Sequence, residues 1–247
     1  MFRILLFGGT TEGRKLAEFL KKNNIPTTVS VTTEYGAGLI GILDVLVGKL
    51  DFSEMKKLLQ NNYFSLVIDA THPFAVLASK NIKSACEAEN IRYLRLLRES
   101  GKRTDGIYFN SVQESADFLD KAVGNALITT GSKGLSAFCS VKNYAQRLTV
   151  RVLPAENIVE QCMELGFEKE NIIPKKGPFS IKQNLEHLKK CSAKFLVTKE
   201  SGAVGGFDEK AEAARLFSAR LIIIKRPSES GFSLEEIENI IKAEFVK

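Results

Sequence analysis

Residues 3–14 read RILLFGGTTEGR. An apolar run, Ile4–Phe7, ends at once in two glycines, and a helical pattern follows from Thr11 to Lys22. Dinucleotide-binding folds use this junction, in which a strand hands over to a helix around a phosphate. Their G-x-G-x-x-G spacing is altered here, because Thr10 stands in place of the second glycine. Gly8 and Gly9 permit a sharp turn and let a ligand approach the backbone with no Cβ in the way. The amides that open the following helix favour an anion. Thr10 and Thr11 add hydroxyls, and Arg14 adds a cation one helical turn in. The same residues also suit an ordinary tight turn with Thr11 as helix cap, and both readings stand at this point.

Outward from the junction, short apolar strands alternate with amphipathic helices. Strands are expected at Arg3–Phe7, Thr27–Thr32, Val45–Val47, Leu66–Ala70 and Arg92–Leu96. Helices are expected at Thr11–Lys22, Phe52–Gln60 and Phe74–Glu89. A polar, glycine-bearing stretch, Glu99–Gly106, reads as a linker. The rhythm then resumes with strands at Ala126–Thr130, Leu148–Val152, Phe195–Thr198 and Leu221–Ile224. Helical patterns accompany them near Ser111–Lys121, Ala155–Leu165, Ile181–Lys190, Asp208–Phe217 and Ser233–Glu244. Ser233 and Glu236 form a capping-box signature at the start of the last helix. Such alternation predicts an α/β protein of two Rossmann-like domains with parallel sheets, 1–102 and 103–247.

Composition narrows the function. With 247 residues, 44% hydrophobic and 26% charged, the chain is an ordinary globular protein. Its longest apolar runs, such as Leu221–Ile224, are far too short to cross a bilayer. A cytoplasmic protein with no membrane partner is expected. Four scattered cysteines and two histidines, His72 and His187, offer neither a disulfide framework nor a metal site. The net charge of +6 suits an acidic small molecule. The basic residues form no tract and tryptophan is absent, so nucleic acid is not expected as a partner.

In open α/β sheets ligands sit beyond the carboxyl ends of the strands. Besides the Gly8–Arg14 turn, three such loops carry chemistry. In Asp69–Ala75, Pro73 suits the first position of a helix, with Thr71 or His72 as its cap. His72 either binds a ligand or only caps; His187, on a lysine-rich helix, is expected to be solvated. In Thr129–Gly134, Gly131, Ser132 and Lys133 form an anion cradle or a plain turn at a helix start. In Thr198–Phe207, Lys199 and Ser201 root a glycine-rich segment that closes over a ligand or merely connects. There is no nucleophile elbow, so the hard chemical step falls to a cofactor.

GGTTEGR at 8–14, DATHPFA at 69–75, GSKGL at 131–135, RVLP at 151–154, GPFS at 177–180 and TKESG at 198–202 together resemble the precorrin-6A reductase family of cobalamin biosynthesis. The similarity spans nearly the whole chain in the right order. It implies NADH or NADPH as cofactor, a cleft between the two domains, and reduction of one C=C bond of an anionic tetrapyrrole. Cofactor-binding positions implied by it are Gly8, Gly9, Thr10, Thr11, Gly13, Thr71, His72, Gly131, Ser132 and Ser201. Arg14, Lys133 and Lys199 are implied for substrate carboxylates or cofactor phosphate. Glu34, just past the second strand, favours NADH by accepting from a ribose 2′-hydroxyl, whereas Arg14 and Lys133 favour a 2′-phosphate. Transient contact with neighbouring pathway enzymes is a further implication. Rival readings are another NAD(P)-dependent oxidoreductase, which lacks support because no Y-x-x-x-K pair accompanies the glycines, and a nucleotide-sensing module without catalysis.

Overall fold

The computed structural model describes residues 2–38, 44–98, 104–200 and 206–245. The chain divides into two compact units, Met1–Glu99 with Pro227–Lys247, and Ser100–Arg226.

The first unit runs β1 (Ile4–Phe7), α1 (Thr11–Lys22), β2 (Thr27–Val31), α2 (Glu34–Gly38), β3 (Val45–Val47), α3 (Phe52–Asn61), β4 (Leu66–Asp69), α4 (Val76–Ala88) and β5 (Arg92–Arg95). Its strands form one sheet in the order β3-β2-β1-β4-β5, every pair parallel. In β1 the side chains alternate across the pleat, and both faces are buried. Ile4 and Leu6 enter a core with Leu16 and Leu20 of α1, while Leu5 and Phe7 enter another with Met55 and Leu59 of α3 and Ile82 of α4. The order reverses between β1 and β4, so a crevice opens at their carboxyl ends.

The second unit runs β6 (Ile107–Phe109), α5 (Val112–Lys121), β7 (Asn125–Ile128), a 3₁₀ turn (Leu135–Ser140), α6 (Tyr144–Arg147), β8 (Leu148–Val152), α7 (Glu156–Glu164), β9 (Ile172–Pro174), α8 (Ile181–Lys190), β10 (Ala193–Lys199), α9 (Phe207–Phe217) and β11 (Arg220–Ile224). Its six strands are also all parallel, in the order β6-β11-β10-β7-β8-β9. The order reverses here between β7 and β10. Leu188 of α8 and Ala213 and Ala214 of α9 pack on Leu127, Leu196 and Ile223 of this sheet. The two-domain parallel α/β architecture expected from the alternation is thus present. Two short strands, β6 and β9, were not expected: Ile107–Phe109 adjoins the polar stretch read as a linker, and Ile172–Pro174 ends in a proline.

The final segment departs from the expected partition. Residues 227–247 were assigned to the second domain, but they belong to the first unit. Phe232 forms a parallel bridge with Leu96, and Leu97 N–H donates to the Phe232 carbonyl at 2.8 Å. The last helix, α10 (Leu234–Phe245), opens with the anticipated box: Ser233 N–H donates to Glu236, and Glu236 N–H donates to Ser233 Oγ. It buries Ile237 and Ile241 completely against the same core as Leu16 and Leu20, and Phe245 stacks on Phe2. Of the expected linker, Glu99–Arg103 lies outside the described residues. No described helix is long and apolar enough to cross a membrane.

This return makes α10 a structural part of the first unit. Ile241→Ala is expected to lower its stability by about 2–5 kcal/mol, because a fully buried side chain leaves a cavity. Leu77→Ala, at a position 71% exposed in the same unit, should change stability by less than about 0.5 kcal/mol. Urea unfolding of the two variants checks this.

Candidate functional site

At the carboxyl ends of β1 and β4 the chain makes a glycine turn whose parts are tightly specified. Gly9 has φ +132°, a left-handed-region value that favours glycine, and no atom lies within 4 Å of where its Cβ would stand. The turn is therefore open on its outer side. Gly13 is the opposite case: a Cβ there would stand 2.9 Å from the Ala70 Cβ. Helix α1 thus crosses the end of β4 at a distance only glycine permits. Thr10, not Thr11, caps α1, accepting from Gly13 N–H at 3.0 Å and donating to the Ala70 carbonyl at 2.9 Å. The residue that breaks the usual glycine spacing is the clasp joining the two strand-end loops, and its hydroxyl proton is already committed. Arg14 is half-buried and pairs loosely with Glu18 at 3.9 Å. Glu12 approaches Arg98 at 3.5 Å and keeps its Oε2 buried without a partner.

The second loop is held from below by a buried ionic network. Asp69, fully buried, accepts through Oδ1 from Thr71 N–H at 2.9 Å and Arg95 Nη1 at 2.8 Å, and through Oδ2 from the Tyr93 hydroxyl at 3.0 Å. Burial and the Asp69 charge push the Tyr93 phenol upward, so it stays a neutral donor. Arg95 also donates to Thr71 Oγ1 at 3.3 Å and reaches both oxygens of Glu229, in the returning segment, at 3.1 Å. Thr71 is therefore a rigid member of the loop rather than the helix cap anticipated for it. The anticipated helix start is also wrong. Helix α4 begins at Val76 with Ala75 at its cap position, and Pro73 sits in a preceding turn. In that turn Phe74 N–H donates to His72 Nδ1 at 3.3 Å, and Ala75 N–H donates to the His72 carbonyl at 2.7 Å. An Nδ1 that accepts leaves Nε2 as the proton-bearing atom of a neutral imidazole.

In the second unit the switch point lies at the ends of β7 and β10. Thr129 donates to the Val197 carbonyl at 2.7 Å, tying these two strands, and Thr130 Oγ1 is buried without a partner. Gly131 turns at φ +80° into open space. Ser132 and Lys133 follow, but the next element is a 3₁₀ turn entered through Gly134 rather than the expected α-helix. Lys199, at the end of β10, is lowered from its ordinary value by burial and then by the charge of Lys133. The two lysines expected to act on an anion therefore feel each other. Ser201 and the remainder of the 201–205 segment lie outside the described residues. Helix α9 starts at Phe207 from a left-handed Gly206, one residue before the expected Asp208.

His187 overturns its expectation. It is 5% exposed, not solvated, because α8 turns this face onto the sheet rather than toward water. There its Nδ1 accepts from Arg151 Nη1 at 3.1 Å, and the same nitrogen of Arg151 donates to Asn184 Oδ1 at 2.8 Å. The guanidinium lies over the Phe179 ring, 4.0 Å from its centroid. Sequence reading missed this group because its members come from β8, α8 and the segment before α8. A lone basic residue in an apolar strand, Arg151, was the available signal. Among the described residues no group of three or more His, Cys, Asp or Glu is placed to hold a metal.

With this geometry described, comparison with known proteins decides the family. The model of the precorrin-6x reductases CbiJ/CobK matches residues 3–244. The chain belongs to that family. A cobalt-precorrin-6A reductase of Salmonella typhimurium is 34% identical over 232 residues, covering 91% of this chain and 88% of the relative. The protein of that name from Priestia megaterium is 34% identical over 247 residues, covering 97% of each. A solved structure named CobK precorrin-6A reductase superposes with a TM-score of 0.76 over 100% of this chain and 99% of that one, at 23% identity, and so shares the fold. Family membership makes the chain an oxidoreductase of cobalamin biosynthesis.

Two measurements follow from the geometry. Gly13→Ala should destabilise the first unit by about 1–3 kcal/mol through overpacking against Ala70. Combined with Ala70→Gly it should cost less than the sum of the two single changes, a coupling that a double-mutant cycle reads directly. For His187, burial first and then the Arg151 and Lys175 charges, with Lys190 adding and Glu186 opposing, pull the imidazole from 6.5 to about 4. The unfolded chain therefore binds a proton below pH 6.5 that the folded chain refuses. Stability is intact above that pH and falls by up to about 1.4 kcal/mol per pH unit as pH drops toward 4. Denaturant unfolding across this range should show the slope, and His187→Asn should reduce it.

Proposed function

We propose that the chain reduces one C=C bond of precorrin-6A, or of its cobalt complex, with NADH or NADPH as hydride donor. The observation that carries this reading is the glycine turn at the β1/β4 switch point. It pairs an open face at Gly9 with the opening amides of α1 and with an α1–β4 approach that excludes any Cβ at Gly13. These are the three demands of a pyrophosphate seat: room, N–H donors, and a helix close to the sheet.

When bound, the nicotinamide supplies a hydride; the ring carbon of the macrocycle gains it, the neighbouring carbon gains a proton, and NAD(P)⁺ remains. The residues bind and orient. Gly9 and Thr11 receive the phosphates on backbone amides; Gly8 and Gly13, whose N–H groups are taken by the Ser30 carbonyl at 2.8 Å and Thr10 Oγ1 at 3.0 Å, give the ligand and the helix their close approach, with Thr10 holding the turn in shape. Thr71, fixed by Asp69 and Arg95, and His72 are cofactor-binding positions of the first unit, and Gly131, Ser132 and Ser201 are cofactor-binding positions of the second. Arg14, Lys133 and Lys199 take the acetate and propionate carboxylates that surround the substrate ring.

Calorimetric titration at fixed ionic strength tests the coenzyme claim. Binding of NADH or NADPH in the micromolar range is expected, and the tighter of the two identifies the coenzyme. No binding of either at millimolar concentration by the folded protein would overturn the pyrophosphate seat. In turnover, Lys199→Met should raise KM for the macrocycle by about tenfold or more, the loss of a charge-assisted contact, with a smaller change in kcat.

A further inference from the structure

The first unit contains a cleft that the reductase reading does not use. Its volume is about 720 Å³, and helix α4, strand β5 and residues 227–232 form its walls. All of these belong to the one compact unit. The size falls within the roughly 300–1,000 Å³ of small-molecule sites. None of the lining residues is a cofactor or substrate position named above.

Both walls are tied to the sheet edge. A Cβ at Gly231 would stand 2.5 Å from the Arg95 carbonyl oxygen, so the returning segment lies on β5 at a distance only glycine permits. Phe232 N–H donates to that carbonyl at 2.8 Å. On the other side, the Ser79 hydroxyl of α4 and Arg95 Nη1 both meet Thr71 Oγ1, at 3.1 and 3.3 Å. The cleft therefore keeps its shape.

Its lining is polar and mainly basic. Lys80 and Lys83 stand three residues apart and so share one face of α4. Lys80 pairs with no carboxylate among the described residues, and Lys83 meets Glu87 only at 4.0 Å. At the floor, Arg95 is 5% exposed and its Nε is buried without a partner. An arginine fits a carboxylate best with one oxygen on Nε and the other on Nη2. Glu229 instead places both oxygens on Nη2, at 3.1 Å each, and leaves that fork half filled. Among the described residues Glu229 is also the one carboxylate lining the cleft. Val76 and Phe232, both exposed, supply an apolar rim.

We infer that this cleft binds a small organic anion, a carboxylate or phosphate group carried on an apolar body. Lys80 and Lys83 attract the charged end, and Val76 and Phe232 receive the body. Glu229 is the protein's own competitor for the same cations, because it brings a negative charge to the floor of the cleft. A charge so near opposes an incoming anion through space, whether or not its side chain moves. The cleft is built from the first unit alone and does not depend on the identity of the reaction.

Benzoate and phenyl phosphate are the probes, with benzyl alcohol as their uncharged counterpart. Each is titrated into the full chain at constant ionic strength, with chloride as the balancing ion, while ¹H–¹⁵N spectra follow the amides of residues 76–83 and 228–232. Saturable displacement with half-saturation below about 10 mM is expected for at least one anion. Benzyl alcohol should bind at least about tenfold more weakly. Saturation by benzoate alone identifies a carboxylate ligand, by phenyl phosphate alone a phosphate ligand, and by both a site for either oxyanion. Lys80 and Lys83 are exposed, so Lys80→Gln combined with Lys83→Gln should melt like the parent yet bind about tenfold more weakly. Glu229→Gln keeps the side chain's shape, removes its charge, and should bind about threefold more tightly. The inference fails if neither anion saturates the signals or if benzyl alcohol binds as well as they do. It fails equally if the double variant binds like the parent, or if Glu229→Gln binds no more tightly.

Discussion

Helix α1 can meet the end of β4 only because residue 13 has no side chain, and much of the first unit follows from that contact. The approach brings the α1 amides over the sheet's switch point. It also places Thr10 within reach of both Gly13 N–H and the Ala70 carbonyl, so one hydroxyl closes the helix and joins two loops. From Ala70 the constraint passes to Asp69, whose two oxygens hold Thr71, Tyr93 and Arg95, and from Arg95 to Glu229. This chain of contacts runs through a fully buried carboxylate and holds the two strand-end loops in one geometry.

The unusual threonine in RILLFGGTTEGR acquires its explanation here. The second glycine of a dinucleotide fingerprint admits the pyrophosphate close to the backbone. Here Gly9, one position earlier, provides the open approach, and position 10 becomes available for a capping side chain. A threonine at this place strengthens the helix start, at which a cap typically contributes about 1 kcal/mol, and orients the amides beside it. The altered spacing is compatible with the same electrostatic function through a different division of roles.

Much of this was legible in the sequence, and the exceptions have identifiable causes. Strand alternation and helical periodicity are local signals, and Thr11–Lys22, Val45–Val47, Leu148–Val152 and Ile181–Lys190 match the observed elements end to end. Which sheet a helix covers is not local. The apolar face of Leu234–Phe245 reads the same whether Ile237 and Ile241 meet one core or another, so its return to the first unit was invisible. His187 failed for a related reason. Lysines around it on α8 suggest a solvated face, but a helix has two faces, and the buried imidazole meets Arg151 of a distant strand and the Phe179 ring. Pro73 was misread because a turn over residues 72–75, stabilised by the His72 carbonyl and ring nitrogen, puts it three residues before the helix begins at Val76. Proline suits either position.

Charge is managed differently in the two units, and the difference bears on how a ligand is held. In the first, Arg95 is neutralised by Asp69 and Glu229, and Arg98 by Glu12. Buried charge there serves the protein's own geometry, and at the glycine turn ligand attraction is left to backbone dipoles, which lose little by being exposed to water. In the second, among the described residues Arg151 pairs with no carboxylate and hydrogen-bonds to the neutral Asn184 and His187, and the Lys133 charge reaches Lys199. The net positive charge of the chain is therefore less informative than its distribution. The first unit pairs Arg95 and Arg98 with its own carboxylates, whereas the second holds Arg151 on neutral hydrogen-bond partners and an aromatic face.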